Sequence, residues 1–139
     1  TGRAMLPTMV LGADGVQVGS RFVASEEASS HRLFKEKVVD AGEGDTQLTL
    51  KELAPVRLIK NKFYNDVQEA YANGASIEEL KEVLGRARAK RGMFEGEMEE
   101  GELEIGQVSA LIHDIKPAAQ IVADMMEEFE EARKEAVKL

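Results

Sequence analysis

Residues 11–22, LGADGVQVGSRF, carry the pattern that decides the fold. Their centre, Val16-Gln17-Val18, is rich in β-branched residues and bounded by glycines, which predicts one short strand that runs into a tight turn at Gly19-Ser20. Residues 1–10 repeat apolar side chains every three or four positions after Thr1, a good N-cap, and so predict a helix. A helix, a tight turn and a strand in this order are typical of an α/β protein.

Downstream, three further segments show a regular pattern. A helix is predicted from a cap at Ser29 or Ser30. The alternating residues 46–50 predict only a weak strand or an extended connection. Apolar residues then recur at three- and four-residue spacing from Val56 to Ala70, so we expect a helix of about four turns there, ended by Asn73-Gly74.

The rest of the chain is predicted to be helical with one loop. Ser76-Ile77-Glu78-Glu79 is a capping box that opens another helix, with Gly92 as its stop, so that two successive helices form an αα-hairpin. Residues 95–104 carry six glutamates and two glycines, and they predict a polar, mobile loop. The last helix begins around Pro117 and has an apolar stripe opposite an acidic face. Taken alone, these residues are therefore mainly α.

Composition limits the class of protein. The chain has 139 residues, 43% of them hydrophobic, which suits one globular core. It has no cysteine and two histidines, which argues against a disulfide framework, a cysteine nucleophile or a metal site. No stretch is long and apolar enough to span a bilayer, and the first residues lack the pattern of a signal peptide. We therefore expect a cytoplasmic protein that does not bind a membrane.

The formal net charge of −8 is unevenly distributed. Residues 1–94 hold 14 Lys and Arg against 13 Asp and Glu, whereas residues 95–139 hold 4 against 13. The excess acid lies in the last third of the chain, where it would repel phosphates. Nucleic acid is therefore not expected as a partner.

The turn at Gly19-Ser20 is the place where the spacing of residues suggests a ligand. A glycine at the carboxyl end of a strand lets the backbone approach an anion, and successive N–H groups with a serine hydroxyl can bind phosphate oxygens. Alternation along the strand places Gln17 on the face opposite the two valines, towards the interior or a ligand. The same residues are also compatible with an ordinary turn.

Five segments in a shared order resemble a known family. They are TGRA (residues 1–4), LGADGVQVGSRF (11–22), HRLFKEKV (31–38), VRLIKNKF (56–63), and GQ with SALI and IKP (106–107, 109–112 and 115–117). Together they look like the C-terminal portion of the FMN-dependent nitronate monooxygenase and enoyl-acyl-carrier-protein reductase II (FabK-type) family. The combination of VRLIKNKF with the Gly-Gln pair is closer to the reductase branch.

This resemblance implies the C-terminal part of a TIM (β/α)₈ barrel, namely its last helix-strand unit, with a mostly helical extension. A complete barrel needs about 250 residues, so another part of the protein would supply the remaining strands. Residues 1–50 would form the last β/α unit, and residues 51–104 the helical hairpin and the acidic loop. Residues 105–139 would return to the active site and end in the C-terminal helix. Leu103-Glu104-Ile105 departs from the family, which often has a methionine before the Gly-Gln pair.

The resemblance also implies which residues bind FMN. Gly19 and Ser20 would hold its phosphate through backbone N–H groups, with the Ser20 hydroxyl where the family usually has Thr. Gln17 would lie beside the flavin, and Gly106 and Gln107 would approach the isoalloxazine ring or the nicotinamide of NAD(P)H. The family's catalytic histidine belongs to an earlier strand, so no catalytic residue and no metal ligand is expected in this chain.

By this resemblance, the full-length protein would reduce 2-enoyl thioesters with NAD(P)H in fatty-acid synthesis. Its substrate would be an acyl-acyl-carrier-protein or an acyl-CoA, and it would be a homodimer. This 139-residue portion would be inactive by itself. The alternative enzyme is a nitronate monooxygenase, which oxidises alkyl nitronates with oxygen. A third hypothesis is an acidic helical module that binds a partner through its C-terminal amphipathic helix.

Other polar residues have simple structural interpretations beside functional ones. His31 and His113 lie near helix starts. At such positions a histidine more often packs or forms a local hydrogen bond than takes part in catalysis. The glutamate run favours a solvated loop over paired acid/base carboxylates. The basic cluster is either a solvated helix face or, in a reductase, a docking surface for an acidic acyl carrier protein. It consists of Lys81, Arg86, Arg88, Lys90 and Arg91.

Overall fold

The structure, a computed structural model, describes residues 1–138, so Leu139, the last residue of the predicted third section, lies outside it. Within that range the chain is mainly helical, as predicted, with a short two-stranded sheet. No helix of the described chain is both long and apolar enough to cross a membrane. In chain order the elements are α1 (Gly2–Val10), α2 (Ser20–Val23), α3 (Arg32–Asp40), β1 (Thr46–Thr49), β2 (Val56–Ile59), α4 (Lys62–Ala72), α5 (Ile77–Leu84), α6 (Arg88–Met93), a 3₁₀ helix (Gln107–Leu111) and α7 (Ala118–Ala136).

The first and last helices pack against each other. α1 begins after Thr1, as predicted, because the threonine hydroxyl accepts a hydrogen bond from the N–H of Ala4. Gly2 is buried against α7, where its N–H donates to the Glu128 carboxylate at 2.7 Å. A Cβ at this position would overlap the carbonyl of Met125. The contact between the two helices therefore depends on a residue without a side chain.

The strand predicted at Val16–Val18 is not formed. Residues 15–19 run without regular secondary structure into the single turn of α2, and Val16 is 40% exposed. A strand is stabilised by ladder hydrogen bonds to a neighbour, and no segment of residues 1–138 pairs with this one. The α/β pattern expected from the sequence is thus not completed by the described residues.

Val56–Ile59, predicted to start a helix, is strand β2 instead. It pairs antiparallel with β1, so the weak strand predicted at residues 46–50 is confirmed. Two of its four residues are buried, and this pairing overrides the helical spacing of the apolar side chains. The helix α4 begins only after Asn61, whose side chain accepts from the N–H of Tyr64 at 3.0 Å, and it ends at Asn73-Gly74 as predicted.

Two further helix boundaries differ from the prediction. α3 is capped by His31 rather than by a serine, because its Nδ1 accepts from the N–H of Leu33 at 3.2 Å, while the Ser30 hydroxyl donates to a backbone carbonyl. The predicted capping box does open α5, and α4 packs against α5 as the expected hairpin. However, α5 ends at Gly85, with φ of 64°, rather than at Gly92, which lies in the separate helix α6.

The glutamate-rich segment at residues 95–104 is packed, so the prediction of a mobile loop is wrong for its second half. Residues 101–103 are buried. The Asn61 side chain donates to the carbonyls of Met98 and Gly101, at 2.8 Å each, and the segment forms a β-bridge with β2. Two of its carboxylates contribute as well, because that of Glu97 accepts from the N–H groups of Glu99 and Glu100 and that of Glu100 lies 2.8 Å from the Lys62 ammonium.

The core consists of two apolar clusters. The first joins α3, β2 and the segment that follows the acidic stretch, and so carries residues 105–112 back towards the turn at Gly19-Ser20. Its buried members are Ala24, Phe34, Val38, Ile59, Leu103, Ile105 and Ile112. The second cluster lies between the sheet and α4, and consists of Leu50, Leu58, Phe63 and Val67.

Candidate functional site

The turn at Gly19-Ser20 leads directly into α2 and leaves two backbone donors unused. The N–H groups of Gly19 and Ser20 have no hydrogen-bond acceptor within residues 1–138. A Cβ built on Gly19 would meet no atom within 4 Å, so the turn is open on that side. Adjacent free N–H groups on an open backbone suit an anion.

Ser20 joins this turn to the second predicted segment of the site. Its Oγ accepts a hydrogen bond from the N–H of Gly106 at 3.2 Å, across a sequence separation of 86 residues. A Cβ on Gly106 would lie 2.8 Å from that Oγ, although its φ of −70° is open to any residue. Close approach, rather than backbone conformation, is therefore what requires glycine here. The hydroxyl hydrogen of Ser20 remains available to a ligand.

A cavity of about 370 Å³ opens beside the turn. Gln17, Gly19 and Ser20, three of the five residues predicted to contact the cofactor, all line it. Gly106 adjoins the cavity only through Ser20, and the exposed Gln107 does not line it. The 3₁₀ helix with the Ile112 that follows it, and α7, contribute apolar lining, namely Val108, Leu111, Ile112, Ile121 and Met125.

Five charged residues line the cavity, and four of them form ion pairs with one another that the sequence did not predict. The guanidinium of Arg21 forms an ion pair with the Asp114 carboxylate, and it also donates to the backbone carbonyl of Asp114 at 3.1 Å. The Lys116 ammonium lies 2.8 Å from the Asp124 carboxylate and 3.0 Å from that of Asp114. The hydrogen bond to Asp124, and after it the one to Asp114, raises the pKa of Lys116. The same bond from Lys116 lowers the pKa of Asp124.

This network decides what the cavity offers to an anion. Both cations already have carboxylate partners, whereas the turn N–H groups and the Ser20 hydroxyl hydrogen have no acceptor within residues 1–138 and are available to an anion. Arg21 follows the Gly-Ser turn directly, which is a signal that the sequence contained. The pairing of Lys116 with Asp124, 8 residues apart, depends on how the chain enters α7.

The remaining candidates from the sequence take structural roles or lie at the rim. His31 caps α3, and its ring lies against Gly96, where a Cβ would come within 2.5 Å of Cε1. His113 is exposed at the cavity wall. Glu102 is buried rather than solvated, and burial, together with the charge of Glu104, raises its pKa to about 6.

The family model described as nitronate monooxygenase matches residues 1–128. A curated relative, the probable nitronate monooxygenase of Staphylococcus saprophyticus, is 31% identical over 121 residues. That alignment covers 86% of this chain but 34% of the relative. The chain thus spans about a third of the length of the curated relative that it matches.

Two solved structures are similar to nearly the whole chain. FabK from Thermotoga maritima is 36% identical with a TM-score of 0.89, over 99% of this chain and 43% of its own. A nitroalkane oxidase from Streptomyces ansochromogenes is 26% identical with a TM-score of 0.70, over 97% of this chain and 38% of its own. With the family model matched over most of its residues, the chain belongs to the nitronate monooxygenase family.

Proposed function

We propose that the full-length protein is an FMN-dependent oxidoreductase, and that this chain supplies the C-terminal part of its (β/α)₈ barrel. The observation that carries the proposal is the pair of free N–H groups at Gly19-Ser20, open to a cavity and tied to Gly106 through the serine hydroxyl. Family membership supports an enzyme over the acidic helical module.

The residues present fit the phosphate end of FMN. Two free N–H groups and a serine hydroxyl are donors of the kind that bind phosphate oxygens, and the open side of Gly19 admits a ligand close to the backbone. The apolar wall beyond them suits the less polar part of such a molecule. FMN supplies the redox chemistry, and these residues would bind and orient it. Gln17, Gly106 and Gln107 stay predicted contacts of the flavin or of NAD(P)H.

For the reaction, we propose NAD(P)H-dependent reduction of 2-enoyl thioesters. The likeness to FabK supports this branch, because identity and TM-score are both higher than for the nitroalkane oxidase, at 36% and 0.89 against 26% and 0.70. The segment VRLIKNKF at residues 56–63 supports it as well. Its first four residues form β2, which pairs with the stretch that leads to Gly106.

A nitronate monooxygenase is the second candidate, supported by the family model and the curated relative. The two candidates differ in what accepts and donates electrons, so two assays on the full-length protein separate them. Oxidation of NAD(P)H driven by crotonyl-CoA, measured without oxygen, would support the reductase. Oxygen uptake driven by an alkyl nitronate would support the monooxygenase. A protein that neither holds FMN nor shows either activity would contradict the whole proposal.

A pair of glycine variants tests the binding site separately from the reaction. A Cβ at Gly19 and one at Gly15 both meet no protein atom within 4 Å, so neither substitution disturbs packing. Gly19→Ala places its methyl group where the phosphate would approach and should weaken FMN binding. Gly15→Ala is the matched control and should leave the dissociation constant for FMN unchanged.

We further propose that the exposed side of α6 and the residues before it bind an acidic carrier protein in the reductase. The structure changes which cations are suitable. Arg88 is a structural residue, because its guanidinium donates to the carbonyls of Leu84 at 2.8 Å and Glu100 at 2.7 Å and lies 4.7 Å from the centroid of the Phe63 ring. Charge reversal at Arg88 would therefore damage the fold rather than test docking.

Arg86 and Arg91 are the cations to test. Both are exposed, and neither forms an ion pair within the part of the chain described, whereas Lys90 lies 3.0 Å from Glu95. Arg86→Glu with Arg91→Glu should raise KM for a carrier-bound enoyl substrate more than for its CoA analogue. Equal changes for both substrates would contradict docking at this face.

A further inference from the structure

Lys35 is a buried cation whose ammonium binds carbonyl groups instead of a carboxylate. It lies on α3 with 6% exposure, and its Nζ donates to the carbonyls of Glu26 at 3.1 Å and Ala28 at 2.8 Å. No carboxylate of residues 1–138 lies within 4.0 Å of it. Burying a charge without a counterion is costly, and these two hydrogen bonds offset part of that cost while they join the segment Glu26–Ala28 to α3.

The segment that Lys35 holds is bound in turn to the start of α7. The N–H of Glu26 donates to the carbonyl of Lys116 at 3.0 Å, and the adjacent Ser25 forms a parallel β-bridge with Lys116. The carboxylate of Glu27 accepts from the N–H of Ala118 at 2.8 Å. The N-cap of α7 is Pro117, which has no side-chain acceptor, so Glu27 supplies the cap from another part of the chain.

The start of α7 forms one wall of the cavity. Lys116, Ile121, Asp124 and Met125 all line it, and the Lys116 ammonium bridges two carboxylates there. Hydrogen bonds through Glu26 therefore connect the Lys35 ammonium to Lys116, which lines the same cavity as the Gly19-Ser20 turn. Lys35 and the segment Glu26–Ala28 do not line the cavity, whereas Lys116 does.

We propose that Lys35 is a positioning residue of the cofactor site, which fixes Lys116 and the first turn of α7 through the segment Glu26–Ala28. Its effect on the bound cofactor rests on the proposed FMN function, whereas its effect on the position of α7 does not. Lys35 does not line the cavity, and its role would be to fix the position of the residues that do.

The test compares Lys35→Met with Lys37→Met in the full-length protein. Lys37 lies on the same helix but is exposed and makes no ion pair within the described chain, so it is a matched control. In Lys35→Met, amide hydrogen exchange of residues 114–121 should become at least about threefold faster, while exchange in the α4–α5 hairpin stays unchanged. The dissociation constant for FMN should rise roughly three- to tenfold, and Lys35→Arg, which keeps a cationic donor, should restore part of the affinity.

The outcomes separate this proposal from the proposed function. If wild-type protein does not bind FMN, the proposed function fails, and the exchange of residues 114–121 still decides the role of Lys35. Unchanged exchange there in folded Lys35→Met, or faster exchange throughout the chain, would overturn the positioning role. If Lys35→Met does not fold, Lys35→Gln, with a shorter neutral head, is measured against the same control and judged by the same result.

Discussion

The contact between Gly106 and Ser20 gives the sharpest prediction about the site. Ser20→Ala removes an acceptor for the Gly106 N–H and a donor for the phosphate, so FMN binding should weaken by about 2 kcal/mol, or roughly 30-fold. Gly106→Ala places a methyl carbon 2.8 Å from the Ser20 Oγ, which forces the hydroxyl to move. We expect a loss of about 1–2 kcal/mol in FMN binding from this change as well.

The two changes should not add. Without the Oγ, the nearest atoms to a Cβ on Gly106 are a Val108 methyl carbon at 3.7 Å and the Cβ of residue 20 at 3.9 Å, which are ordinary contacts. Gly106→Ala in the Ser20→Ala background should therefore cost less than about 0.4 kcal/mol. The coupling free energy of the cycle is then about 1–2 kcal/mol, and the double variant binds FMN about as well as Ser20→Ala alone.

The assay is titration of FMN into the full-length apoprotein, followed by quenching of flavin fluorescence for the wild type, both single variants and the double variant. Gly15→Ala serves as the control for a new methyl group that meets no protein atom, because nothing lies within 4 Å of a Cβ there. Additive losses within about 0.4 kcal/mol would refute the reasoning, since they would mean that Ser20 and Gly106 act on FMN independently.

Two further predictions concern stability, and a third concerns the behaviour of the 139-residue chain alone. Gly92→Ala would bring a Cβ to 2.6 Å from the carbonyl of Glu102, so we expect thermal unfolding to show a loss of about 1–3 kcal/mol. Because burial raises the pKa of Glu102 from 4.5 to about 6, the folded state carries a cost that is absent below pH 4.5, grows between about pH 4.5 and 6, and is constant above that range. Glu102→Gln should therefore stabilise the protein by about 1 kcal/mol at pH 8 and not at pH 4, measured by urea unfolding; the reverse order would contradict this. The 139-residue chain alone should be colourless, bind a hydrophobic dye and self-associate in light scattering, because Val10 and Leu11 are 77% and 87% exposed.

The parts of the fold that the sequence predicts well are those set by neighbouring residues. The Thr1 cap and the capping box before α5 each satisfy N–H groups three residues away, so the residue types alone define the helix starts. The end of α4 at Asn73-Gly74 is local in the same way. At such positions no distant contact changes the outcome.

The wrong predictions fall where distant contacts decide. Val56–Ile59 has helical spacing but becomes β2, because β1 offers a partner and two of its residues are buried in the core. Val16–Val18 has strand composition but has no partner within the described chain. In both cases the local propensity is weaker than the presence or absence of a ladder neighbour.

The candidate site shows the same division. Spacing alone suggests Gly19-Ser20 as a candidate phosphate turn, beside the interpretation of an ordinary turn, since the requirement for glycine and a hydroxyl is local. Its link to Gly106 spans 86 residues, and that of Arg21 to Asp114 spans 93, so neither follows from a local pattern. The family resemblance placed Gly106 in the site, but it did not contain the ionic network of Lys116, which depends on side-chain geometry at the start of α7.

The exposed apolar surface and the unformed strand have a common physical explanation. Val10 and Leu11, at the end of α1, and Val16, which follows the next turn, are all exposed. Residues 15–19 have no ladder partner within the described chain. Exposed apolar side chains beside unpaired backbone groups are the features that a neighbouring strand would remove together. The solved relatives match this chain over 43% and 38% of their own length, so each has additional chain that could supply that strand. We infer that a neighbouring strand would extend residues 15–19 and fix the direction in which the Gly19 and Ser20 N–H groups point, so that completing the sheet would also shape the proposed phosphate site.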